Sequence, residues 1–474
     1  MHATVMTSSA RYRDWVGQAA SLILAVLLIG NVGAAMGAEG GSRIPAEPVP
    51  FLPEESYPQP TPPLLEIGDP FLANGNLYPG FTLPTGAVWQ PRFWVFGSAR
   101  SALQTFDRGP GGDVTEWMNR LDLFGNLQLT GTERILIGIQ PLQRNSNFTG
   151  EVFESDGDNG FRNELNLGVR TLFFEGDIAE IFPNVDLEDA AGLDYGFSVG
   201  RQQLLFQDGL LINDTMDVLG ITRNSVRFEG VPWLANLRVT ALWAWNEVNR
   251  DDNVNDPDAL LFGVFSALDT TFSTIEIDAV YVDSDDGGAG DLFVAGVGAI
   301  QRFGLINTSL RVVGSVAVDE KTPQSDDGLL IFGEVSWTPH HTGNIAYVNG
   351  FWGIENFSSA ARDATAGGPL GRTGILFAAR GLGSFPSPLS NRADDAFGIA
   401  AGYQMFFDSN RRQLILEAGG RRGYGTGGFD AIGIAARLQQ AIGRRTIVQF
   451  DGFVAAQSDR RPSYGTRAEV LVKF

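Results

Sequence analysis

"NRLDLFGNLQLTG", residues 119–131, alternates almost without a break. Leu121, Leu123, Leu127 and Leu129 fall on one face, with Arg120, Asp122, Asn126 and Gln128 on the other. A period of two is that of a β-strand. "RNELNLGVRTLFF" (162–174) repeats the pattern, with Leu165, Leu167, Val169 and Phe173 opposite Arg162, Glu164, Asn166 and Arg170. "RTIVQFDGFVA" (445–455) sets Val448, Phe450 and Val454 against Arg445, Gln449 and Asp451. A soluble sandwich alternates as well, so alternation alone does not fix the fold. Length does. These segments run about 10 residues or more, against about 5–6 in soluble sheets. Their polar faces carry charges of both signs in strand after strand. About ten residues tilted near 45° cross a bilayer, and closing the sheet leaves no unpaired backbone in lipid. The expected fold class is therefore all-β, a transmembrane antiparallel β-barrel.

About 19 segments qualify, among them ones starting near 222 and 371, with boundaries good to a few residues. Single-chain bacterial barrels have even strand numbers, so 18 strands are expected, with 16 next. Stretches such as "FDSNRRQ" (407–413) and "QQAIGRRT" (439–446) are short enough for periplasmic turns. "EVNRDDNVNDPDA", "DSDDGGAGD", "DEKTPQSDDG" and "SSAARDATAGGPLG" are longer and suit outer loops. Trp94, Trp117, Trp243 and Trp352 lie in or beside the strands, where aromatic girdles at the two interfaces would use them. The longest helical candidate, "DIAEIFPNVDLEDAAG", is broken by Pro183 and reads as a loop excursion.

The 474 residues exceed one ordinary soluble domain. The net charge of −21 argues against nucleic acid, which needs clustered Lys and Arg. With no Cys, disulfides, thiolate metal sites and cysteine nucleophiles are excluded. Residues 1–38 read as a signal peptide, with Arg11 and Arg13 before the apolar "LILAVLLIG". Residues 39–88 form a Pro-rich arm or linker, with eight prolines between 45 and 63. Residues 89–474 form the barrel. "RAEVLVKF" (467–474) is the closing strand, and its terminal Phe474 resembles the signature by which barrel-assembly machinery recognises outer-membrane proteins. The expected location is the bacterial outer membrane, with lipid and lipopolysaccharide as neighbours.

A wide barrel leaves room for a channel, and the residues facing its lumen set selectivity. Nearly all of the 34 basic residues are Arg, whose planar fork matches carboxylates. The candidate lumen residues are Arg120, Asp122, Arg162, Glu164, Arg170, Arg201, Asp208, Arg223, Arg227, Glu229, Arg311 and Arg421. Arginines interleaved with carboxylates would pass an anionic solute stepwise, the carboxylates weakening each hold enough for release. The same pairs would serve equally as salt bridges filling a closed barrel. His340 and His341, adjacent in "WTPHHTGN", are the histidines left for a barrel hydrolase, and they read as turn residues. No cofactor, metal site or enzymatic activity is expected. The acidic loops do not fit the EF-hand spacing.

"GRQQLLFQDGLLINDTMDVLGITRNSVRFEG" (200–230) resembles the core of the alginate-export family of outer-membrane barrels. Gly200, Arg201, Gln202, Asp208, Leu211, Ile212, Arg223, Val226 and Arg227 stand in that family's pattern, which departs here at Gln207 and Val218. The resemblance implies an 18-stranded barrel with an Arg-lined, anion-selective pore. The function read from the sequence is passive passage of anionic solutes, uronate polysaccharide or small organic acids. A plugged structural or binding barrel is the alternative.

Overall fold

The computed structural model describes residues 61–69, 78–108, 112–154, 159–185, 192–284, 289–458 and 460–474. The signal peptide and most of the Pro-rich arm lie outside them. Among the described residues eighteen wall strands run in chain order. They are Arg92–Asp107 (β1), Asp113–Gln128 (β2), Arg134–Ile139 with Asn147–Glu154 (β3), Gly160–Arg162 with Val169–Asp177 (β4), Tyr195–Phe206 (β5) and Ile212–Val226 (β6). There follow Leu234–Asn246 (β7), Leu260–Thr270 (β8), Ser273–Asp283 (β9), Leu292–Phe303 (β10), Ile306–Ala317 (β11) and Gly328–Trp337 (β12). The last six are Ile345–Glu355 (β13), Ala396–Phe407 (β14), Arg412–Gly423 (β15), Ala431–Ile442 (β16), Thr446–Gln457 (β17) and Ser463–Lys473 (β18). Each pairs antiparallel with the next, and β18 returns to β1 with Lys473 opposite Ser98 and Tyr464 opposite Asp107. The sheet is a closed antiparallel barrel of 18 strands.

The alternation read in the sequence is the alternation of the wall, except in β4, where a register shift between Val169 and Thr171 turns Phe173 inward beside Arg170. Leu103 and Trp117 are exposed on the outside of β1 and β2, while Gln104, Glu116 and Met118 are buried within. Leu219, Ile221, Trp243, Phe262 and Val264 line an apolar outer groove. Such a surface is stable in lipid and unfavourable in water. Short turns gather at one end. Gly304 takes φ 63° in the two-residue turn after β10, and Asp408, Ser409 and Asn410 all take positive φ after β14. Small polar side chains tolerate that region best after glycine. Longer connections gather at the other end, which by this asymmetry faces outward. At the short-turn rim, Leu65–Ile67 pairs with Phe93–Val95 of β1, and Phe474 exchanges backbone hydrogen bonds of 2.7 and 3.0 Å with Gly97.

Three elements differ from the sequence reading. The segment expected near 371 is not a strand. It belongs to a 40-residue connection, 356–395, that folds into the barrel and packs Leu370, Leu376, Phe377 and Leu389 against the inside of the wall. Its run "GILFAAR" is apolar because it meets protein there, not lipid. β6 starts at Ile212, ten residues before its expected start, because Asn213, Asp214 and Thr215 break the lipid-facing pattern. That part of the β5–β6 hairpin leaves the wall. β6 meets β7 only from Asp217 onward, and Ile212–Asn213 pairs instead in parallel with Ala361–Arg362 of the inner loop. Lastly, "RNELNLGVRTLFF" is not continuous: β4 is interrupted at 163–168, where Asn166 Nδ2 donates to Gln143 O at 2.7 Å. The helical candidate after β4 shrinks to the single turn Ile178–Ile181, capped by Asp177.

Candidate functional site

Polar side chains hold the inner loop by its backbone. Glu417 on β15 accepts from Ile375 N (3.0 Å) and Leu376 N (2.9 Å), and Tyr347 Oη donates to it as well. Glu116 on β2 accepts from Ser384 N (2.6 Å) and Ser384 Oγ (2.9 Å). Arg421 donates to Leu389 O and Arg392 O, both at 3.1 Å. Arg362, in the loop itself, is 1% exposed and donates to Gly368 O at 2.9 Å and to Gly209 O at the hairpin tip. Buried charges with such hydrogen bonds fix a conformation, because losing them strands polar atoms in a dry interior. The loop is a built constriction.

The hairpin tip Gln207–Gly209 is the second constriction. Gln207, Asp208 and Gly209 have φ of 49°, 54° and 82°. Two non-glycine residues in that region cost of order 1–3 kcal/mol each and persist where the surroundings fix them. Here Gln207 Nε2 donates to Asp278 Oδ2 of β9 at 2.8 Å, and Phe206 stacks on Phe265 of β8. The tip thus reaches the wall three strands away. Where the hairpin leaves the wall, Arg201 braces the gap. It holds Asp217 at 2.8 and 2.9 Å, Glu247 at 3.2 Å and Val169 O at 3.3 Å.

These two constrictions leave three adjoining cavities along the barrel. The outer one, about 470 Å³, is lined by Arg108, Arg380 and Arg460 beside Phe385 and Phe429, and by no Asp or Glu among the described residues. The middle one, about 700 Å³, shares Arg380 with it and adds Arg120, Arg134, Arg170 and Arg372, against Asp122, Glu175 and Asp363. The inner one, about 720 Å³, shares Glu175 and Gln202 with the middle. Its charges are Arg238 and Arg311 against Glu175, Asp177, Asp208, Glu276 and Asp278. The balance runs from positive outside to negative inside.

The sequence-derived residues fall into three sets. Arg120, Asp122 and Arg170 meet around the middle cavity, with Arg120 Nε 3.0 Å from both Asp122 oxygens and Arg170 2.7 Å from Asp363. Arg311 and Asp208 line the inner cavity. The others lie elsewhere. Arg201 shares its face with exposed Val199, away from Ser198 and Gln202. Arg223 pairs with Asp194 at 3.3 Å near the short-turn end, and Arg227 and Glu229 are exposed in the turn after β6. Arg162 is exposed, and Glu164 stands 4.0 Å from Arg144. Arg421 holds the inner loop. His340 and His341 are exposed in the turn between β12 and β13. Sequence reasoning missed Arg372, Arg380 and Asp363, all on the inner loop. A 40-residue connection is itself a signal, since loops beyond about 12–15 residues are uncommon in compact folds unless functional.

Two expected outcomes follow from this geometry. Replacing Arg170 by Ala leaves Asp363 unpaired at the middle cavity, so the anion-over-cation permeability ratio should fall roughly two- to threefold. Reversal potentials under a salt gradient measure it. Asp394, in the inner loop, is pushed up to about 6 chiefly by burial, against the pull of Arg392 and Arg421. A raised carboxyl pKa favours the folded loop below that value and costs it stability as pH rises through it. Voltage-driven closures should therefore be rarer at pH 5 than at pH 7.5, and D394N should remove the difference.

No protein-family model matches the sequence, and no curated protein does. Solved structures do. The chain is similar to OccK11 (OpdR) of Pseudomonas aeruginosa, with TM-score 0.53 and 9% identity over 81% of this chain and 96% of that one. It is similar to OccAB2 of Acinetobacter baumannii, with TM-score 0.53 and 12% identity over 81% and 98%. It is also similar to P. aeruginosa OccK2 (OpdF), solved in complex with glucuronate, with TM-score 0.52 and 11% identity over 80% and 98%. The likeness is one of fold and gives no support to the alginate-export family. A closed wall of 18 strands and an apolar outer face, matched in fold by these neighbours, make the chain an 18-stranded β-barrel of the bacterial outer membrane.

Proposed function

We propose that this protein is a passive channel for small anionic solutes, carboxylates above all. The observation that carries this is the series of three adjoining cavities through the barrel, whose outer member presents three arginines and no carboxylate among the described residues. An anion is attracted at the mouth, meets arginines already balanced by carboxylates in the middle, and is released into a net-negative inner cavity. Binding must be favourable enough to enter and weak enough to leave. The fold neighbour solved with glucuronate supports uronates as a solute class. Cavities of several hundred Å³ between two packed constrictions suit monomers better than polysaccharide, which speaks against the polymer reading.

The test is single-channel current in a planar bilayer under a KCl gradient. A steady conductance with anion-selective reversal is expected. A folded barrel that carries no current would instead support the plugged, structural reading.

A further inference from the structure

The arginines of the middle cavity are not equally available to a passing solute. Arg120 is held by Asp122 through both oxygens at 3.0 Å, and Arg170 by Asp363 at 2.7 Å. Those side chains are 20–25% exposed and their carboxylates 11–12%. Arg372 differs. Its partner is Asp208, at the tip of the β5–β6 hairpin, 3.7 Å away, and the two side chains are 49% and 46% exposed. So long and wet an ion pair holds weakly and is readily exchanged. It also stands at the junction of the two cavities, for Arg372 lines the middle cavity and Asp208 the inner one. The tip is shaped to put it there. The left-handed run Gln207–Gly209 presents Asp208, and Gly209 leaves room for the arginine stem: a Cβ at Gly209 would come 2.9 Å from Arg372 Cδ.

We propose that Asp208–Arg372 is a displaceable bar between the two cavities and that Arg372 is the arginine that binds the solute's carboxylate during passage. This rests on the channel reading above. Entering carboxylate oxygens replace those of Asp208 on the Arg372 fork, and Asp208 takes the fork back as the solute moves inward. No bond is made or broken. The exchange is of one carboxylate for another, so the class selected is a solute with an accessible carboxylate, and a neutral sugar of the same size gains nothing from it.

The experiment records single channels of the full-length barrel with D-glucuronate as the probe and D-glucose as its uncharged counterpart. Asp208→Asn removes the competitor, and glucuronate blocking events should lengthen about two- to fivefold. Arg372→Gln should shorten them by a similar factor, and Arg372→Lys, which keeps the charge without the fork, should fall between. Glucose passage should be the same in all of them, whereas a merely structural change would alter both probes. Heat-modifiable migration on gels confirms folding, and if Arg372→Gln fails that check, Asp208→Asn and Arg372→Lys decide. If the wild type conducts and glucuronate blocks it with equal dwell times in every variant, the bar is wrong and the channel stands. If the wild type carries no current, both fall.

Discussion

Cutting the inner loop out should raise the unitary conductance by about an order of magnitude, since an 18-stranded barrel without a plug leaves a broad aqueous channel. The cut can be made cleanly because the ends of the loop already meet. Asp395 N donates to Glu355 O at 3.0 Å, and Glu355 N to Asp395 Oδ1 at 3.0 Å, so residues 356–394 can give way to a short Gly-rich turn. Anion preference should fall with the cut. Arg372, Arg380 and Asp363 leave with the loop, and the arginines that remain at that level are Arg120, Arg134 and Arg170 in a wide lumen where salt screens them. The shortened barrel should be less stable than the parent, because Phe351 loses its edge contact with Phe377 and the inner core loses Leu370, Leu376 and Leu389. Planar-bilayer conductance, with gel migration before and after heating as the folding check, measures both effects. An unchanged conductance would mean that the loop does not limit the current.

The second large effect is on stability alone. Arg362→Ala should cost about 3–5 kcal/mol, the usual penalty for removing one partner of a buried charge network. Arg362 serves three parts of the fold at once. It donates to Gly209 O at the hairpin tip and to Gly367 O and Gly368 O in its own loop, and it faces Asp251, from the connection after β7, at 3.8 Å. Burial lowers the arginine pKa to about 10, still far above working pH, so the charge persists. Without it, three carbonyls lose a donor and the buried Asp251 keeps only Arg392, at 3.6 Å, of its two ion-pair partners. A drop in the temperature at which the folded gel band disappears reads the loss. Arg362→Lys should recover part of it, since an ammonium supplies the charge but not the fork. A variant as heat-resistant as the parent would show that the three parts do not depend on this contact.

The wall was legible because lipid imposes one rule on every strand. One face must be apolar, and the period is two, so Leu121, Leu123 and Leu127 announce themselves. The interior obeys no such rule. "GILFAAR" is as apolar as a strand because it packs on the inside of the wall, and its backbone is satisfied by Glu417 rather than by a neighbouring ladder. Asp214 breaks the lipid-facing pattern, yet it is fully buried and accepts from Asn249 N and Nδ2 at 2.8 and 2.7 Å. For the same reason the sequence offered Arg120 and Arg170 as lumen residues but not Arg372 or Arg380. The first two lie on strands, where position modulo two assigns the face. The others depend on how a 40-residue loop folds back, and no local period encodes that. Arg201 shows the converse. Its place in the strand pattern is clear, but it braces the wall where the hairpin departs, and only the three-strand geometry reveals it.

The short strand at the rim has a consequence for how the cylinder closes. β1 overhangs β18: pairing with β18 begins at Ser98, and Leu65–Ile67 occupies the edge at Phe93–Val95. The stagger between first and last strands is what fixes the tilt and girth of a barrel. A slip of β18 toward the rim would run into the occupied edge, and a slip of one residue would also turn Arg467 and Glu469 from the inside to the outside. The segment before the barrel therefore acts as a doorstop: it leaves the closing seam a single seat, and with it a single diameter for everything the wall encloses.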